Sequence, residues 1–249
     1  FGFAATYNYI HYGQNLSFAD VDSDGDLDLF GGRRNLREIW FIENKGTPVA
    51  PSLELIPWNP YSNFGAYDFF SPNGLLFTDI DADADMDGLF ASWSSGPGVF
   101  VSAENTGTPF EAQFPDIDTA FLDIGLNILY SFGMADLDND DDFDIVAFSS
   151  SSEASYVENT GSNTNASFAS GLQNVFGLEN PVYPQGPPNL IDIDGDADYD
   201  LIFTRNDTVR MQENIGTPNA PMFSPSVAQP FGLTCLLYTS PSPRDEKVS

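Results

Sequence analysis

Aspartate occupies every second position in one short stretch of the sequence, and this stretch occurs four times. The first copy runs from Asp20 to Asp28 and holds five aspartates in nine residues. The other copies begin at Asp79, Asp136 and Asp192, so that successive starts lie 59, 57 and 56 residues apart. Two unit charges about 5 Å apart repel by roughly 3 kcal/mol at an effective dielectric constant of about 20. Each stretch holds several such pairs and therefore needs counter-charge.

Basic side chains cannot supply that counter-charge. The chain has 8 Lys and Arg against 37 Asp and Glu, a net charge of −29, and no basic residue lies between Lys45 and Arg205. A hard divalent cation removes the repulsion, and calcium accepts about six to eight oxygen ligands in a flexible geometry. The sequence therefore predicts four calcium loops, with about four ions. The same shortage of basic residues excludes nucleic acid as a partner. Insertion into a membrane is not expected either, because no run of 18 apolar residues occurs.

An EF-hand shares the opening of these loops but needs a bidentate glutamate at the twelfth loop position. The residues at that position are Gly31, Phe90, Ala147 and Phe203. No helical periodicity flanks the loops, so the EF-hand alternative is rejected.

The sequence around each loop predicts β-strands. Short runs rich in Phe, Ile, Val and Tyr precede and follow each loop, and Gly, Pro and Asn bound them. Four such runs per repeat, with no helix, predict an all-β fold, a β-propeller of four-stranded blades. The predicted blade motifs span residues 15–60, 75–118, 130–175 and 188–226.

A Glu-Asn pair ends the third predicted strand of every repeat and precedes a turn. Its asparagines are Asn44, Asn105, Asn159 and Asn214, each followed two residues later by glycine. These residues are expected to shape the turn, with asparagine capping it and glycine adopting positive φ, rather than to do chemistry.

The ninth loop position is also Asp in all four copies, and with this feature residues 1–234 resemble the FG-GAP and VCBS repeats of integrin-α-type β-propellers. In that family, calcium is bound by side chains at loop positions 1, 3, 5 and 9 and by the backbone carbonyl at position 7. The resemblance implies these side-chain ligands: Asp20, Asp22, Asp24, Asp28, Asp79, Asp81, Asp83, Asp87, Asp136, Asp138, Asp140, Asp144, Asp192, Asp194, Asp196 and Asp200. It implies these carbonyl ligands: Asp26, Asp85, Asp142 and Asp198.

The sixth loop position departs from the family. The family favours glycine there, at a sharp turn of the backbone, and only Gly25 keeps it; the other loops have Ala84, Asp141 and Ala197. A β-carbon in the left-handed conformation costs about 1–2 kcal/mol. We therefore expect the first loop to bind calcium best, and the second and fourth to bind more weakly or to turn differently.

Both ends of the sequence suggest a fragment of a longer protein. Phe1-Gly2 stands where Phe176-Gly177 stands before the fourth loop, so the chain opens within a repeat. Family members commonly have seven blades, which implies that about four of seven are represented here and that the remaining blades are missing. Residues 235–249 resemble translated sequencing adapter and are expected to be a non-native tail; they contain the only cysteine, Cys235.

The expected function is that of a calcium-stabilised, non-catalytic module that binds an unidentified protein or glycan outside the cell, secreted or on the cell surface. Calcium sites tuned to the extracellular range support that location. Two alternatives stay open: a propeller lectin, and a non-catalytic part of a secreted polysaccharide-degrading enzyme. No nucleophile with a neighbouring base is recognisable, so the chain is not expected to be an enzyme.

Overall fold

The structure is a computed structural model of the 249-residue chain. It describes residues 16–33, 38–55, 72–92, 99–108, 112–122, 129–149, 154–173, 175–179, 181, 187–206 and 208–232. The predicted tail 235–249 and the Phe1-Gly2 pair lie outside the described residues.

In the described residues, sixteen strands form four sheets of four strands each. The first sheet contains β1 (Leu16–Ala19), β2 (Asp28–Arg33), β3 (Glu38–Asn44) and β4 (Leu53–Leu55). The second contains β5 (Pro72–Thr78), β6 (Asp87–Ser92), β7 (Val99–Ala103) and β8 (Asp118–Leu122). The third contains β9 (Leu129–Ala135), β10 (Asp144–Ser149), β11 (Ser155–Val157) and β12 (Leu172–Gln173). The fourth contains β13 (Asn189–Ile191), β14 (Asp200–Arg205), β15 (Thr208–Gln212) and β16 (Val227–Ala228).

Each sheet is an antiparallel meander in which the strands pair in chain order. The first strands of successive sheets lie side by side, β1 beside β5, β5 beside β9 and β9 beside β13. This is a four-blade propeller arrangement, and the predicted all-β propeller fold is confirmed. The described residues contain no α-helix, only a 3₁₀ turn at Pro230–Gly232. Nothing helical in this part of the chain is therefore long and apolar enough to cross a membrane. Closure with seven blades stays a prediction.

The hydrophobic core lies between the sheets, because successive side chains of a strand point to opposite faces. In the second sheet, Phe90 packs in a cluster with the first sheet, whereas its neighbour Leu89 packs in a cluster with the third. Aromatic contacts join each pair of neighbouring sheets. Their ring centroids are 4.0 Å apart for Phe30 and Phe77, 4.9 Å for Phe100 and Phe132, and 5.8 Å for Phe148 and Phe203. Each sheet is therefore stabilised by its neighbours, as in other repeat architectures.

The Glu-Asn pairs cap the turns after the third strands, as predicted. The Asn44 Oδ1 atom accepts hydrogen bonds from the backbone nitrogens of Gly46 (3.2 Å) and Ser52 (2.8 Å), and the asparagine side chain is buried. The three equivalents, Asn105, Asn159 and Asn214, each accept two backbone hydrogen bonds in the same way.

The expectation that the turn glycines adopt positive φ is wrong. Gly46 is not among the positive-φ residues of the described chain, and neither are Gly161 and Gly216. Glycine is required at position 46 for space instead: a Cβ atom there would clash with the Ala50 carbonyl oxygen and lie 2.6 Å from the Ser52 nitrogen.

Candidate metal-binding loops

The four aspartate stretches form the connections between the first and second strands of the four sheets. Each begins directly after the first strand, and its ninth residue is the first residue of the second strand: Asp28, Asp87, Asp144 or Asp200. Because the sheets repeat, the four loops occupy equivalent positions at one edge of the blades.

Carboxylate oxygens of three residues approach within 4.8 Å of one another in every loop. Positions 1, 3 and 5 are grouped in the first, third and fourth loops: Asp20, Asp22, Asp24; Asp136, Asp138, Asp140; Asp192, Asp194, Asp196. Positions 1, 3 and 9 are grouped in the second loop: Asp79, Asp81 and Asp87. Each group can hold a metal ion. The remaining predicted side-chain ligands stand outside these groups: Asp28, Asp83, Asp144 and Asp200.

The first aspartate of each loop folds the loop around its own carboxylate. The Asp20 side chain accepts hydrogen bonds from the nitrogens of Asp24 and Gly25, each 3.1 Å long. The second and third loops repeat both bonds at 3.1–3.2 Å. In the fourth loop the Asp192 carboxylate accepts instead from Gly195 (2.7 Å) and Ala197 (3.2 Å).

The backbone is left-handed at two positions of every loop. At the sixth position φ is 91° for Gly25, 75° for Ala84, 71° for Asp141 and 73° for Ala197. The second and fourth loops therefore keep the left-handed sixth position without glycine, although the fourth differs from the others in one hydrogen bond of Asp192. Weaker calcium binding by these two loops stays a prediction. Sequence analysis missed the fourth position, where only one loop carries glycine; its residues are Ser23, Ala82, Asn139 and Gly195.

The aspartate at the ninth loop position connects the loop to the turn after the third strand of its sheet. The Asp28 Oδ1 atom accepts a 2.8 Å hydrogen bond from the backbone nitrogen of Asn44, the asparagine that caps the turn. The other three sheets have the same bond at 2.8–2.9 Å. The third sheet adds a donor, because the Tyr156 hydroxyl lies 3.0 Å from Asp144 Oδ2. Sequence analysis assigned these aspartates to the metal alone, and the strand pairing that makes these bonds is not visible in the motif.

The aspartate at the seventh loop position is buried in every loop, although only its backbone carbonyl was predicted to bind calcium. Asp26, Asp85, Asp142 and Asp198 are 3–5% exposed, and the Oδ1 atom of each has no hydrogen-bond donor. The third position behaves alike in three loops, where the Oδ1 atoms of Asp22, Asp81 and Asp138 are buried and unpartnered. A buried carboxylate oxygen without a partner is strongly destabilising.

Burial raises the pKa values of these carboxyl groups. Desolvation, with repulsion from the Asp83 carboxylate as the next cause, raises the pKa of Asp85 to about 7. Desolvation likewise raises the pKa of Asp144 to about 7, although the Asn159 nitrogen and the Tyr156 hydroxyl both favour its ionised form. A cation bound beside these groups would favour the carboxylate and release protons.

The donor set decides what kind of metal the loops suit. The clustered side-chain donors are carboxylates throughout, and the described residues contain neither histidine nor cysteine. Hard oxygen donors suit calcium, magnesium or manganese rather than zinc or copper. The unpartnered buried oxygens fit this interpretation, because a cation would supply the missing partner.

Two equivalent grooves lie beside the loops, between neighbouring blades. One, of about 390 Å³, is lined by Asp142 and Phe143 of the third loop and by the beginning of the second loop. The other, of about 280 Å³, is lined by Asp198 and Tyr199 of the fourth loop and by the beginning of the third. Near the second groove, the Asn219 side chain donates a 3.0 Å hydrogen bond to the Asp138 carbonyl and so links the third and fourth blades.

Comparisons with known proteins give likenesses to solved structures alone. No protein-family model matches the chain, and no curated protein matches it. The structure is similar to that of a lectin from Agrocybe aegerita, solved to explain its specific recognition of non-reducing terminal N-acetylglucosamine. The TM-score is 0.46 at 19% sequence identity, and the match covers 85% of this chain and 50% of the lectin chain. The chain thus spans half the length of that lectin, and membership of the FG-GAP/VCBS family stays a prediction.

The left-handed sixth position predicts opposite effects for two reciprocal substitutions. Ala84→Gly should stabilise the protein by up to about 1 kcal/mol, because it removes backbone strain that exceeds the entropy glycine adds to the unfolded chain. Gly25→Ala should destabilise it by up to about 1 kcal/mol, because the added strain exceeds the entropy that alanine removes from the unfolded chain, and a Cβ atom there would meet nothing within 4 Å. Urea unfolding in chelator measures both. Equal signs for the two variants would contradict the assignment of strain to this position.

The raised pKa values predict how the stability of the metal-free protein depends on pH. The carboxyl groups of Asp85, Asp142 and Asp144 have a pKa near 3.8 in the unfolded chain and of about 6 to 7 in the folded chain. The stability that each contributes is fully present below pH 3.8 and is lost as the pH rises through the folded pKa. Melting temperature in chelator should therefore fall between about pH 5 and pH 8.

Two controls separate this effect from the repulsion of the whole acidic chain. High salt should screen the general repulsion but leave much of the slope, because buried groups are screened less. Asp144→Asn should flatten the slope, since it removes one of the groups with a pKa of about 7. A slope that high salt abolishes, or that Asp144→Asn leaves unchanged, would mean that the buried carboxyl groups do not cause it.

Proposed function

We propose that this chain is a calcium-stabilised, non-catalytic repeat module that binds a protein or a glycan outside the cell. The observation that best supports this proposal is the set of buried carboxylate oxygens without hydrogen-bond donors. Among the described residues, eight aspartates have such an atom: Asp22, Asp26, Asp28, Asp81, Asp85, Asp138, Asp142 and Asp198. Seven of them occupy positions 3 and 7, which recur in equivalent loops, so a shared cause is needed.

Calcium fits these loops better than the other hard cations. Magnesium demands near-octahedral geometry and keeps several waters, whereas calcium accepts more oxygens at variable angles. The groups differ in composition, since the second uses position 9 where the others use position 5, and in exposure, since all three acids of the fourth are exposed. A cation that tolerates irregular coordination suits such a set. The residues that would hold calcium are the grouped aspartates, with the buried carboxylates at position 7 beside them.

The contribution of calcium in this proposal is structural. A cation that binds the folded chain alone stabilises it by RT ln(1 + [L]/Kd), about 2.7 kcal/mol per site at a hundredfold excess over Kd. The stabilised loop is bonded to the capping asparagine of its sheet, as Asp28 is to Asn44. Binding would therefore order the loop and the turn together. Extracellular calcium modules have Kd values of about 0.1–1 mM, which is the reason for proposing a secreted or surface location.

Calcium titration of the purified chain, first treated with chelator, tests the proposal. Calorimetry should show binding of about four ions, and melting temperature should rise with calcium, because only the folded loops present the full donor set. Asp138→Asn should remove about one ion, since the third loop loses a grouped carboxylate. The matched control is Asp141→Asn, which makes the same change of charge at an exposed residue of the same loop. This variant should still bind about four calcium ions.

Binding heat that Asp138→Asn and Asp141→Asn reduce equally would point to diffuse attraction by the acidic chain rather than to loop sites. A folded chain that shows neither binding heat nor a change of melting temperature would overturn the proposal. Magnesium at the same concentration, tested alone, separates calcium from hard cations in general.

A second candidate function, glycan binding, is supported by the two inter-blade grooves. Each groove combines an aromatic ring, Phe143 or Tyr199, with a carboxylate from the adjoining loop position. The larger groove, of about 390 Å³, lies within the usual size range of small-ligand sites and combines an apolar face with a few polar groups, as such sites do. Phe143 is 41% exposed, so its ring is available to a ligand.

A glycan array probed in calcium buffer tests this candidate. Wild-type chain should bind a restricted set of glycans, and the double variant Phe143→Ala, Tyr199→Ala should lose that binding, because both grooves lose their ring. Val49→Ala, a change at a residue 93% exposed and away from both grooves, should bind as wild type does. Glycan binding that survives the double variant would place the site elsewhere, and an array without binding would favour a protein ligand.

A further inference from the structure

The larger groove, between the second and third blades, is lined by acidic residues from both blades. They are Asp79 of the second loop and Asp141 and Asp142 of the third. No Lys or Arg occurs between Lys45 and Arg205, a stretch that contains every residue lining this groove. The residues that form the groove therefore supply no counter-charge of their own. Both blades beside it belong to the part of the chain that the structure describes.

Calcium in the loops would neutralise only part of this charge. The grouped carboxylates of the third loop are Asp136, Asp138 and Asp140, and none of them lines the larger groove. Asp141 and Asp142 do line it, and neither belongs to a metal group. Asp142 is 4% exposed, and its Oδ1 atom has no hydrogen-bond donor. A buried carboxylate oxygen without a donor, in a residue that lines a groove, indicates a donor that a ligand brings.

The rest of the lining offers apolar surface and an aromatic ring. Ile80 and Met134 are half-buried and pack against the hydrophobic core between the second and third sheets. Phe143 is 41% exposed, so its ring can contact a ligand. A cation over the face of an aromatic ring is attracted by the ring, and the stem of a long basic side chain can lie along apolar surface. The groove therefore suits a side chain with an apolar stem and a cationic end.

We infer that the larger groove binds an arginine side chain of a protein partner. The inference rests on the proposed binding function and selects a protein, rather than a glycan, for this groove. The guanidinium group would donate hydrogen bonds to Asp141 and Asp142 and place its planar face on the Phe143 ring, a combination that its fixed fork of donors allows. The stem of the arginine would lie on Ile80 and Met134.

Charge distinguishes this occupant from the alternatives. A neutral glycan can donate hydrogen bonds but brings no positive charge to Asp141 and Asp142. Lysine brings a charge but lacks the planar face that stacks on a ring. Free arginine carries its own carboxylate, which a chain of net charge −29 repels, whereas an arginine residue within a protein presents the guanidinium alone.

The smaller groove has the same design with less charge. Tyr199 takes the place of Phe143, and Asp198 is 5% exposed with an unpartnered Oδ1 atom. The sixth loop position, however, is Ala197 where the larger groove has Asp141. Among the residues that line the smaller groove, Asp198 alone is a carboxylate outside the metal groups, so this groove should bind arginine more weakly.

The methionine methyl groups of the full chain, observed by NMR in calcium buffer, test the inference. Two of the four methionines, Met86 and Met134, line the larger groove, whereas Met211 and Met222 line neither groove and serve as internal controls. N-acetyl-arginine amide should shift the signals of Met86 and Met134 until they saturate. N-acetyl-citrulline amide, which has nearly the same shape without the charge, should not. Free arginine should bind more weakly than the arginine amide.

Three variants connect the binding to the groove. Asp141→Asn should raise the Kd of the arginine amide about two- to fivefold, the worth of one exposed ion pair, and should leave calcium binding unchanged. Phe143→Leu should raise the Kd by a similar factor of about two to five, because it keeps apolar volume but removes the ring. Glu213→Gln, the same loss of charge at an exposed residue of the fourth blade, is the matched control and should bind as wild type does.

Several results would overturn the inference. Absence of a shift at Met86 and Met134, or equal shifts with the arginine and citrulline probes, would show that the groove does not select a guanidinium group. Equal weakening by Asp141→Asn and Glu213→Gln would indicate diffuse attraction by the acidic chain. An arginine probe that calcium displaces would occupy the metal loops, and free arginine that binds as tightly as the amide would exclude selection for a protein. Calcium binding is measured on the same samples, so failure of the calcium proposal is distinguishable from failure of this inference.

Discussion

The structure depends on one carboxylate per sheet, the aspartate at the ninth loop position. In the second sheet, Asp87 Oδ1 accepts a 2.8 Å hydrogen bond from the nitrogen of Asn105, and its Oδ2 accepts one of 3.0 Å from the nitrogen of Ile80. One buried side chain thereby connects the beginning of the loop, the second strand and the end of the third. Since burial raises its pKa to about 6, any cation that keeps Asp87 ionised also strengthens the bonds within the blade.

Much of this arrangement could be predicted from the sequence, because it depends on local patterns. Alternating aspartates flanked by short apolar runs predicted the loops and the strands on both sides, and the fourfold repeat predicted the blades. The role of Asn44 as a cap was also predictable, since asparagine before a glycine turn has few other uses. The loop residues that meet within 4.8 Å are neighbours in the chain, which is why spacing alone could indicate them.

Other features depend on distant contacts or on backbone geometry that residue types do not signal. Gly46 looked like a residue chosen for positive φ, but the chain folds back so closely that a side chain would not fit. The left-handed backbone at the fourth loop position was not predicted, because Ser23 and Ala82 are not residue types that usually adopt positive φ. Burial of the Asp85 carboxylate depends on the folded conformation of its loop, which the alternating pattern does not reveal.

The two-sided pattern of the sheets also limits how such a chain can change in length. A blade contacts its neighbours through two different faces, and every repeat of 56 to 59 residues carries one of each. Duplication or loss of a complete repeat brings matching faces together again, whereas a change of half a repeat brings unmatched ones together. The repeat is thus the unit of recombination for this architecture, and variation in the number of blades requires no redesign of the surfaces between them.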